Sequence, residues 1–346
     1  MTNGFNPDAV IECVPNFSEG TDRAKVEQIV AAMRMDEVRL LDWSMDAAHN
    51  RSVVTIAGPP GAVMESVVRG VGRAAQLIDL TKQNGVHPRI GAADVVPFVP
   101  VSGFSLAQCA MLARQAGLDI WRRFGVPVYF YEAAATRPDR ISLEDVRRGQ
   151  FEGLRDTSAR DAARRPDVGG PEIHPTAGAT AVGARRFLIA YNIFLTTPVA
   201  DSGRSLPAHA QSEIAAARAI ARAIRASAGG LHGVKAIGVS VNGRAQVSMN
   251  ITDFRTTPVG QVYETVKRLA ARAGVKASYG ELIGLIPQDA YEPESEWARQ
   301  IQETGSPGHG QPVDGADSTS NLRNGFDPGR KVLERVLEHP KEWPVI

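Results

Sequence analysis

The spacing of apolar residues along the chain alternates between a strand period and a helix period. Short apolar runs that end at proline, asparagine or serine predict strands, and apolar residues three and four positions apart predict amphipathic helices. In the first half this pattern predicts strands at 9–14, 38–42, 52–57, 94–101 and 126–131, and helices at 22–34, from after Pro60 to Ile78, and from Ser105 onward. In the second half it predicts strands at 187–194, 234–241, 246–251 and 282–286, and helices at 211–225 and 258–274.

Both halves therefore read as β-α-β-β-α-β, the order of the split βαβ, ferredoxin-like motif. We predict an α+β fold of two ferredoxin-like α/β sandwich subdomains packed around a central substrate cleft. The predicted subdomains are residues 1–180 and 181–295, followed by a partly mobile tail at 296–346. Residues 140–180 are predicted to connect the halves and to form part of a site. In the tail, the Gly-, Pro-, Asp- and Ser-rich residues 305–320 predict a mobile loop, and 332–337 a short closing helix.

Composition excludes several classes of partner and cofactor. The 39 lysines and arginines nearly balance the 38 aspartates and glutamates, so no global basic field would attract nucleic acid or an anionic membrane. The first residues lack a secretory pattern and no stretch is apolar enough to span a bilayer, so we expect a cytoplasmic protein. Cys13 and Cys109 predict buried structural thiols. The seven histidines show no zinc spacing, so we expect no metal.

The sequence His-Pro-x-x-Gly-Ala occurs twice, at 87–92 and at 174–179. Histidine is the side chain whose ordinary pKa lies near neutrality, proline fixes the backbone, and glycine allows a close approach. Two such loops suggest a cleft assembled from two related halves. The alternative is that each is a rigid turn whose histidine caps or packs.

Four polar clusters, at 13–20, 46–51, 84–94 and 168–180, lie where strands or helices end. In the first, Asn16 and Ser18 either donate to a ligand or cap the next helix. In the second, Asn50 and Arg51 begin a strand, and Arg51 pairs either with a substrate carboxylate or with a structural acid. In the third, His87, Arg89 and Asp94 form a compact acid/base and anion-binding set. The fourth is dense in glycine and can approach a flat heterocycle through its backbone, with candidate residues Gly169, Gly170, His174, Thr176, Ala177, Gly178, Ala179 and Thr180.

Long ordered motifs resemble those of the formiminotransferase family over about residues 10–290. They are Cys13-Val-Pro-Asn-Phe-Ser-Glu-Gly20, His49-Asn-Arg51, His87-Pro-Arg89 with Gly91, Asp94-Val-Val-Pro-Phe98, Glu132 to Arg137, Arg147 to Gly153, His174 through Asn192, Val247 to Asp253 and Gly284-Leu-Ile-Pro287. The resemblance implies a stand-alone transferase, because the helical cyclodeaminase domain of bifunctional relatives has no counterpart here. It also implies a homodimer.

The implied reaction transfers the formimino group from N-formimino-L-glutamate to the co-substrate tetrahydrofolate, in histidine degradation and one-carbon metabolism. His87 matches the family's catalytic histidine, and residues 169–180 match its folate-contacting segment. The attacking folate nitrogen must lose a proton and the departing glutamate nitrogen must gain one, which one histidine can do in turn. Both substrates carry carboxylates, which suit Arg51 and Arg89.

One position departs from the family pattern. Relatives commonly place an acid two residues after Asp42, where it orients the catalytic histidine, and this chain has Ser44 there. Asp46 is the candidate to take its place. Two alternatives therefore stay open: a folate-dependent transferase that uses N-formylglutamate, and a folate-binding relative with impaired catalysis.

Overall fold

The fold is known from a computed structural model that describes residues 8–47, 49–85, 87–197, 207–241, 243–304, 322–324 and 327–344. It is a mixed α+β fold with a seven-stranded and a four-stranded sheet. The chain divides into two compact units, Met1–Arg186 with His339–Ile346, and Phe187–Glu338. The proposed mobile loop at 305–320 lies outside the described residues. Among those described, no helix has both the length and the apolar character needed to cross a bilayer.

The first unit begins with a sheet whose central strands are short and apolar. Its strands are β1 (Val10–Cys13), β2 (Asn16–Phe17), β3 (Arg39–Asp46), β4 (Arg51–Gly58), β5 (Ala93–Ser102), β6 (Val128–Glu132) and β7 (Thr180–Ala184). Its helices are α1 (Arg23–Ala32), α2 (Pro60–Leu77), α3 (Leu106–Phe124), α4 (Leu143–Val146) and α5 (Gln150–Thr157). β3, β4, β1 and β5 lie side by side and antiparallel, and β7 and β6 extend the sheet in parallel beyond β5.

Local sequence explains where the long helices of this unit begin and end. Ser105 caps α3 and forms a capping box with Gln108, which satisfies backbone donors that the first turn leaves free. Gly125 ends the same helix in the left-handed region at φ +65°. Pro60 starts α2 at a position where its missing N–H costs nothing. The apolar faces of α1, α2 and α3 then join the sheet in one core.

The second unit contains β8 (Ile189–Thr196), β9 (Val234–Val241), β10 (Arg244–Ile251), β11 (Lys276–Ile283), β12 (Gln302–Thr304) and β13 (Leu322–Asn324). Its helices are α6 (Pro207–Ile224), α7 (Val259–Arg272), α8 (Glu296–Arg299), α9 (Pro328–Lys331) and α10 (Leu333–Glu338). The main sheet is antiparallel in the order β11-β8-β10-β9, and α6 and α7 share its core. Helix α10 confirms the predicted short closing helix at 332–337.

Three sequence-based expectations differ from the structure. The last strand of the second half was predicted at 282–286, but β11 starts at Lys276, and β12 and β13 follow it. The start of β11 was missed because its serine, glycine and glutamate interrupt the alternation of apolar and polar residues that predicts a strand. Strand β7 was not predicted, since its small residues give no strand signal by themselves. The residues 140–180 contain α4 and α5, which pack on the first unit.

Candidate active site

His87 lies in the loop between α2 and β5 and is partly buried. Burial, together with the positive charges of Arg51 and Arg147 and the neighbouring His49, lowers the pKa of His87 to about 3. Loss of hydration and nearby cations both disfavour an imidazolium. The ring is therefore neutral at physiological pH and can accept a proton.

Asp94 organises the loop that carries His87. Its carboxylate is buried, accepts the N–H of Ile90 at 2.8 Å through Oδ1, and pairs with Arg147 through Oδ2. Burial and repulsion from Arg147 lower the pKa of Arg51 to about 10, while Asp94 and Asp46 oppose this shift. Asp94 therefore compensates the charge of the arginines. The sequence interpretation grouped Asp94 with Arg89, but it is Arg147 that holds its carboxylate.

Arg89 is anchored at one end of its guanidinium. Its Nη2 donates to the Gln83 carbonyl at 2.9 Å and to Glu152 Oε1 at 3.0 Å, and its own carbonyl accepts the N–H of Phe151 at 2.8 Å. These contacts fasten α5 to the His87 loop. Residues Gln83, Arg147 and Glu152 were not among the predicted site residues, because nothing in their spacing shows that α5 folds back onto this loop.

Several buried polar atoms in this region have no hydrogen-bond partner within the described chain. They are Nε of Arg51, Arg89 and Arg147, both amide atoms of Gln83, and the hydroxyls of Ser52 and Thr180. A buried polar atom without a partner costs about 1–3 kcal/mol, so such atoms need an explanation. A cleft of about 370 Å³ adjoins this region and includes Asn50 and Gln83 in its lining, although His87 does not line it.

The second His-Pro cassette has a different role from the first. Nδ1 of His174 accepts the backbone N–H groups of Ala177 at 3.0 Å and Thr176 at 3.3 Å. Burial lowers the pKa of His174, which keeps this acceptor unprotonated. His174 therefore caps its own turn, which is the alternative that the sequence left open.

The two cassettes cross at their glycines. Gly91 and Gly178 form an antiparallel bridge, Ala92 N donates to Ala177 O at 2.8 Å, and Ala179 N donates to Ile90 O at 2.9 Å. A Cβ on Gly91 would lie 2.0 Å from the Ala179 carbonyl oxygen. Both cassettes belong to the first unit, as the predicted subdomain 1–180 also has them. Glycine is repeated because two backbones meet there.

The remaining predicted residues tie loops together. Asn16 Nδ2 donates to Val14 O at 2.8 Å, and Ser18 Oγ donates to Gly91 O at 2.7 Å. Asn50 accepts from Gly20 N and donates to Asn84 O, both at 2.9 Å. The contacts of Ser18 and Asn50 brace the loop that carries His87, whereas that of Asn16 is local.

Gly169 and Gly170 lie after the bridge between Val128 and Val168. Both occupy the left-handed region, at φ +77° and +89°. A Cβ on Gly169 would lie 2.6 Å from the Trp121 ring, so this backbone packs closely against α3. A glycine is required here by conformation as well as by space.

The contact that links Asp46 to the site runs through His49. Oδ2 of Asp46 lies 2.8 Å from Nδ1 of His49, and the His49 ring lies 6.4 Å from the His87 ring, centroid to centroid. Ser44 lies two residues earlier on β3, and Asp42 pairs with Lys341. No three His, Cys, Asp or Glu side chains of the described ranges converge on a possible metal position.

Comparison with known families covers most of both units. Residues 10–185 match the formiminotransferase domain, N-terminal subdomain, and residues 190–302 match the formiminotransferase domain. This chain belongs to the formiminotransferase family. Within it, the chain is 41% identical over 297 residues to a glutamate formimidoyltransferase from Streptococcus pyogenes serotype M1, covering 85% of this chain and 94% of that protein.

Two further relatives show the range of the family. A glutamate formimidoyltransferase from Thermoplasma acidophilum is 38% identical over 335 residues, 95% of this chain and 98% of that protein. The formimidoyltransferase-cyclodeaminase of Rattus norvegicus is 36% identical over 285 residues, 81% of this chain but 51% of that protein. The chain thus spans nearly the full length of the shorter relatives.

Proposed function

We propose that this protein is a glutamate formimidoyltransferase, a transferase of one-carbon groups. It would move the formimino group of N-formimino-L-glutamate to N5 of tetrahydrofolate, giving 5-formimino-tetrahydrofolate and L-glutamate. The observation that carries the proposal is a neutral His87 beside the half-buried Arg51 and Arg147, in a chain that matches enzymes of this name nearly end to end.

The chemistry asks for a base that is unprotonated at neutral pH. When N5 attacks the amidine carbon, a C–N bond forms and N5 must release its proton, which a neutral imidazole accepts. Burial and the charges of Arg51 and Arg147 keep the His87 ring neutral in the free protein, and substrate carboxylates that neutralise these arginines would bring its pKa nearer the working pH. Positioning of two substrates contributes further, because it replaces an encounter between free molecules with an oriented contact.

The arginines suit the carboxylates of both substrates. Arg51 and Arg147 lie beside His87, and Arg89 is fixed at one end of its guanidinium by Gln83 and Glu152. Guanidinium groups bind carboxylates through charge-assisted hydrogen bonds. We propose that Arg51 and Arg89 orient the carboxylates of the formiminoglutamate donor and of the folate. We add Arg147 to this pair, because it also lies beside His87. Residues 169–180 are proposed to contact the pteridine, and Asn16, Ser18 and Asn50 to shape the pocket wall.

The finer architecture belongs to this proposal. In the first unit the antiparallel strands β3, β4, β1 and β5, and in the second β9, β10, β8 and β11, follow one another in the same order, which supports two ferredoxin-like subdomains. Their assignment to 1–180 and 181–295, the substrate cleft, the homodimer and the cytoplasmic location stay predictions.

The test is steady-state transfer from formiminoglutamate to tetrahydrofolate, with His87→Gln and the control His232→Gln, an exposed histidine of the second unit. We expect turnover by the wild type, a loss of at least ~10²-fold in kcat for His87→Gln, and no change for the control. Tetrahydrofolate binding by fluorescence accompanies each assay. Transfer from formylglutamate in place of formiminoglutamate would instead establish the formyl donor, and folate binding without any turnover would refute the transferase.

A further inference from the structure

A second histidine faces His87 across the site, and a carboxylate holds it. Nδ1 of His49 lies 2.8 Å from Oδ2 of Asp46, and the backbone N–H of His49 donates to Oδ1 of the same carboxylate at 3.0 Å. The rings of His49 and His87 are 6.4 Å apart and inclined by 68°. The Asp46 carboxylate therefore binds both the ring and the backbone N–H of His49, which fixes the orientation of the ring.

The turn that carries His49 is fixed by the chain on either side. It joins β3 to β4, whose register pairs Asp46 with Arg51. Asn50 follows in the left-handed region at φ +48°, and its amide binds Gly20 N and Asn84 O. Because the turn is tied to two other loops, the His49 ring is held beside the His87 loop.

The two histidines have opposite electrostatic surroundings. Beside His87 lie the guanidiniums of Arg51 and Arg147, which disfavour an imidazolium there. Beside His49 lies the Asp46 carboxylate, which accepts the hydrogen bond of Nδ1 and leaves Nε2 as the ring nitrogen that can exchange a proton with a substrate. Two neighbouring titratable side chains with such different hydrogen-bond partners are typical of an acid and base pair.

We propose that His49 is the second proton carrier of the transfer reaction, acting as the acid while His87 acts as the base. The inference rests on the proposed function. His87 takes the proton from N5 as the N5–C bond forms. Nε2–H of His49 gives its proton to the glutamate nitrogen as the C–N bond to glutamate breaks. One proton passing from His87 to His49, directly or through solvent, restores the starting state, so atoms and charge balance.

The separation of the rings suits this division of work. Each imidazole needs a hydrogen bond of about 2.8 Å to its nitrogen of the substrates. Both nitrogens are attached to the same tetrahedral carbon. Two such contacts with one carbon between them span at most about 8 Å between the two ring nitrogens, so rings whose centroids are 6.4 Å apart can both reach the nitrogens on that carbon. His49 is also 43% exposed in its side chain, so it can reach a bound substrate and solvent.

The experiment compares kcat and KM for wild type, His49→Gln, Asp46→Asn and His49→Ala across pH. His232→Gln is the matched control, since His232 also lies near an aspartate, with Nδ1 3.7 Å from Asp253 Oδ2. Glutamine at position 49 can still donate to Asp46 but cannot carry a proton. We expect kcat to fall by ~10²-fold in His49→Gln with little change in KM, and by about tenfold in Asp46→Asn.

Two readouts separate a proton carrier from a residue that only supports the fold. The decline of wild-type kcat at high pH should disappear in His49→Gln, and added imidazole should restore activity to His49→Ala. If His49→Gln keeps kcat within about threefold of an active wild type, or if imidazole fails to rescue a folded His49→Ala, the role of His49 is refuted while the transferase stands. An inactive wild type refutes both.

Discussion

At the scale of single residues, surroundings rather than residue type decide what each histidine does. His87 and His174 occupy the same position of the same cassette. The lone pair of His174 accepts two backbone N–H groups and is used in its own turn. Burial, followed by the charges of Arg51 and Arg147, lowers the pKa of His87 and keeps its ring neutral. A repeated motif therefore yields one turn cap and one candidate base.

The lowered pKa of His87 predicts a specific sensitivity of stability to acid. An unfolded histidine binds a proton below about pH 6.5, whereas folded His87 binds it only near pH 3. Between these values the unfolded state holds more protons, so the contribution of this residue to stability is present above about pH 6.5 and is lost as the pH falls. In urea unfolding, His87→Gln should lose less stability than wild type between pH 7 and about pH 4. Equal slopes for the two proteins would contradict the neutral, buried ring.

At the scale of elements, the candidate site depends on two loops that cross. The segment after His87 pairs with the segment before β7, and the crossing requires glycine on both sides. Single strands and helices were predicted well where periodicity was strong, as for α2, α7 and the β9–β10 hairpin. The crossing of the two loops was not predicted, and neither was the parallel pairing that adds β7 and β6 to the sheet. Both join residues that are far apart in the sequence.

Gly178→Ala should destabilise the first unit strongly. Its φ of +70° disfavours any other residue by about 1–2 kcal/mol, and a Cβ would lie 2.1 Å from the Ile90 carbonyl oxygen. Gly125→Ala is the matched control, because Gly125 has a φ of +65° but open space around its Cβ. Chemical unfolding should show a cost for Gly178→Ala at least about 1 kcal/mol above that of the control. Similar costs would mean that backbone conformation, not the crossing, requires the glycine.

At the scale of the whole molecule, each unit has a hydrophobic core of its own, and the end of the chain returns to the first. The backbone N–H of Lys341 donates to Leu40 O at 2.8 Å, its ammonium pairs with Asp42, and Trp343 packs on the first core. These residues cover β3, which has β4 as its strand neighbour and would otherwise offer an open edge. Uncovered edges promote pairing between molecules.

Ending the chain after Glu338 should therefore weaken the first unit. We expect a loss of about 1–3 kcal/mol in chemical unfolding and more aggregation on storage, since apolar contacts and edge cover are both removed. Lys341→Ala removes only a largely exposed ion pair and should cost less than about 1 kcal/mol. A truncated protein as stable as the Lys341→Ala variant would show that the terminal residues contribute no packing.

The sequence by itself determined the class of fold, the course of most strands and helices, the family and the candidate base His87, because these depend on local periodicity and on continuous motifs. Tertiary structure alone decided that Arg147 holds Asp94, that Gln83 and Glu152 hold Arg89, and that the two cassettes cross within one unit. It also decided that Asp46 holds His49 opposite His87. Charges, burial and hydrogen-bond partners arise from residues brought together in space, and no spacing along the chain specifies them.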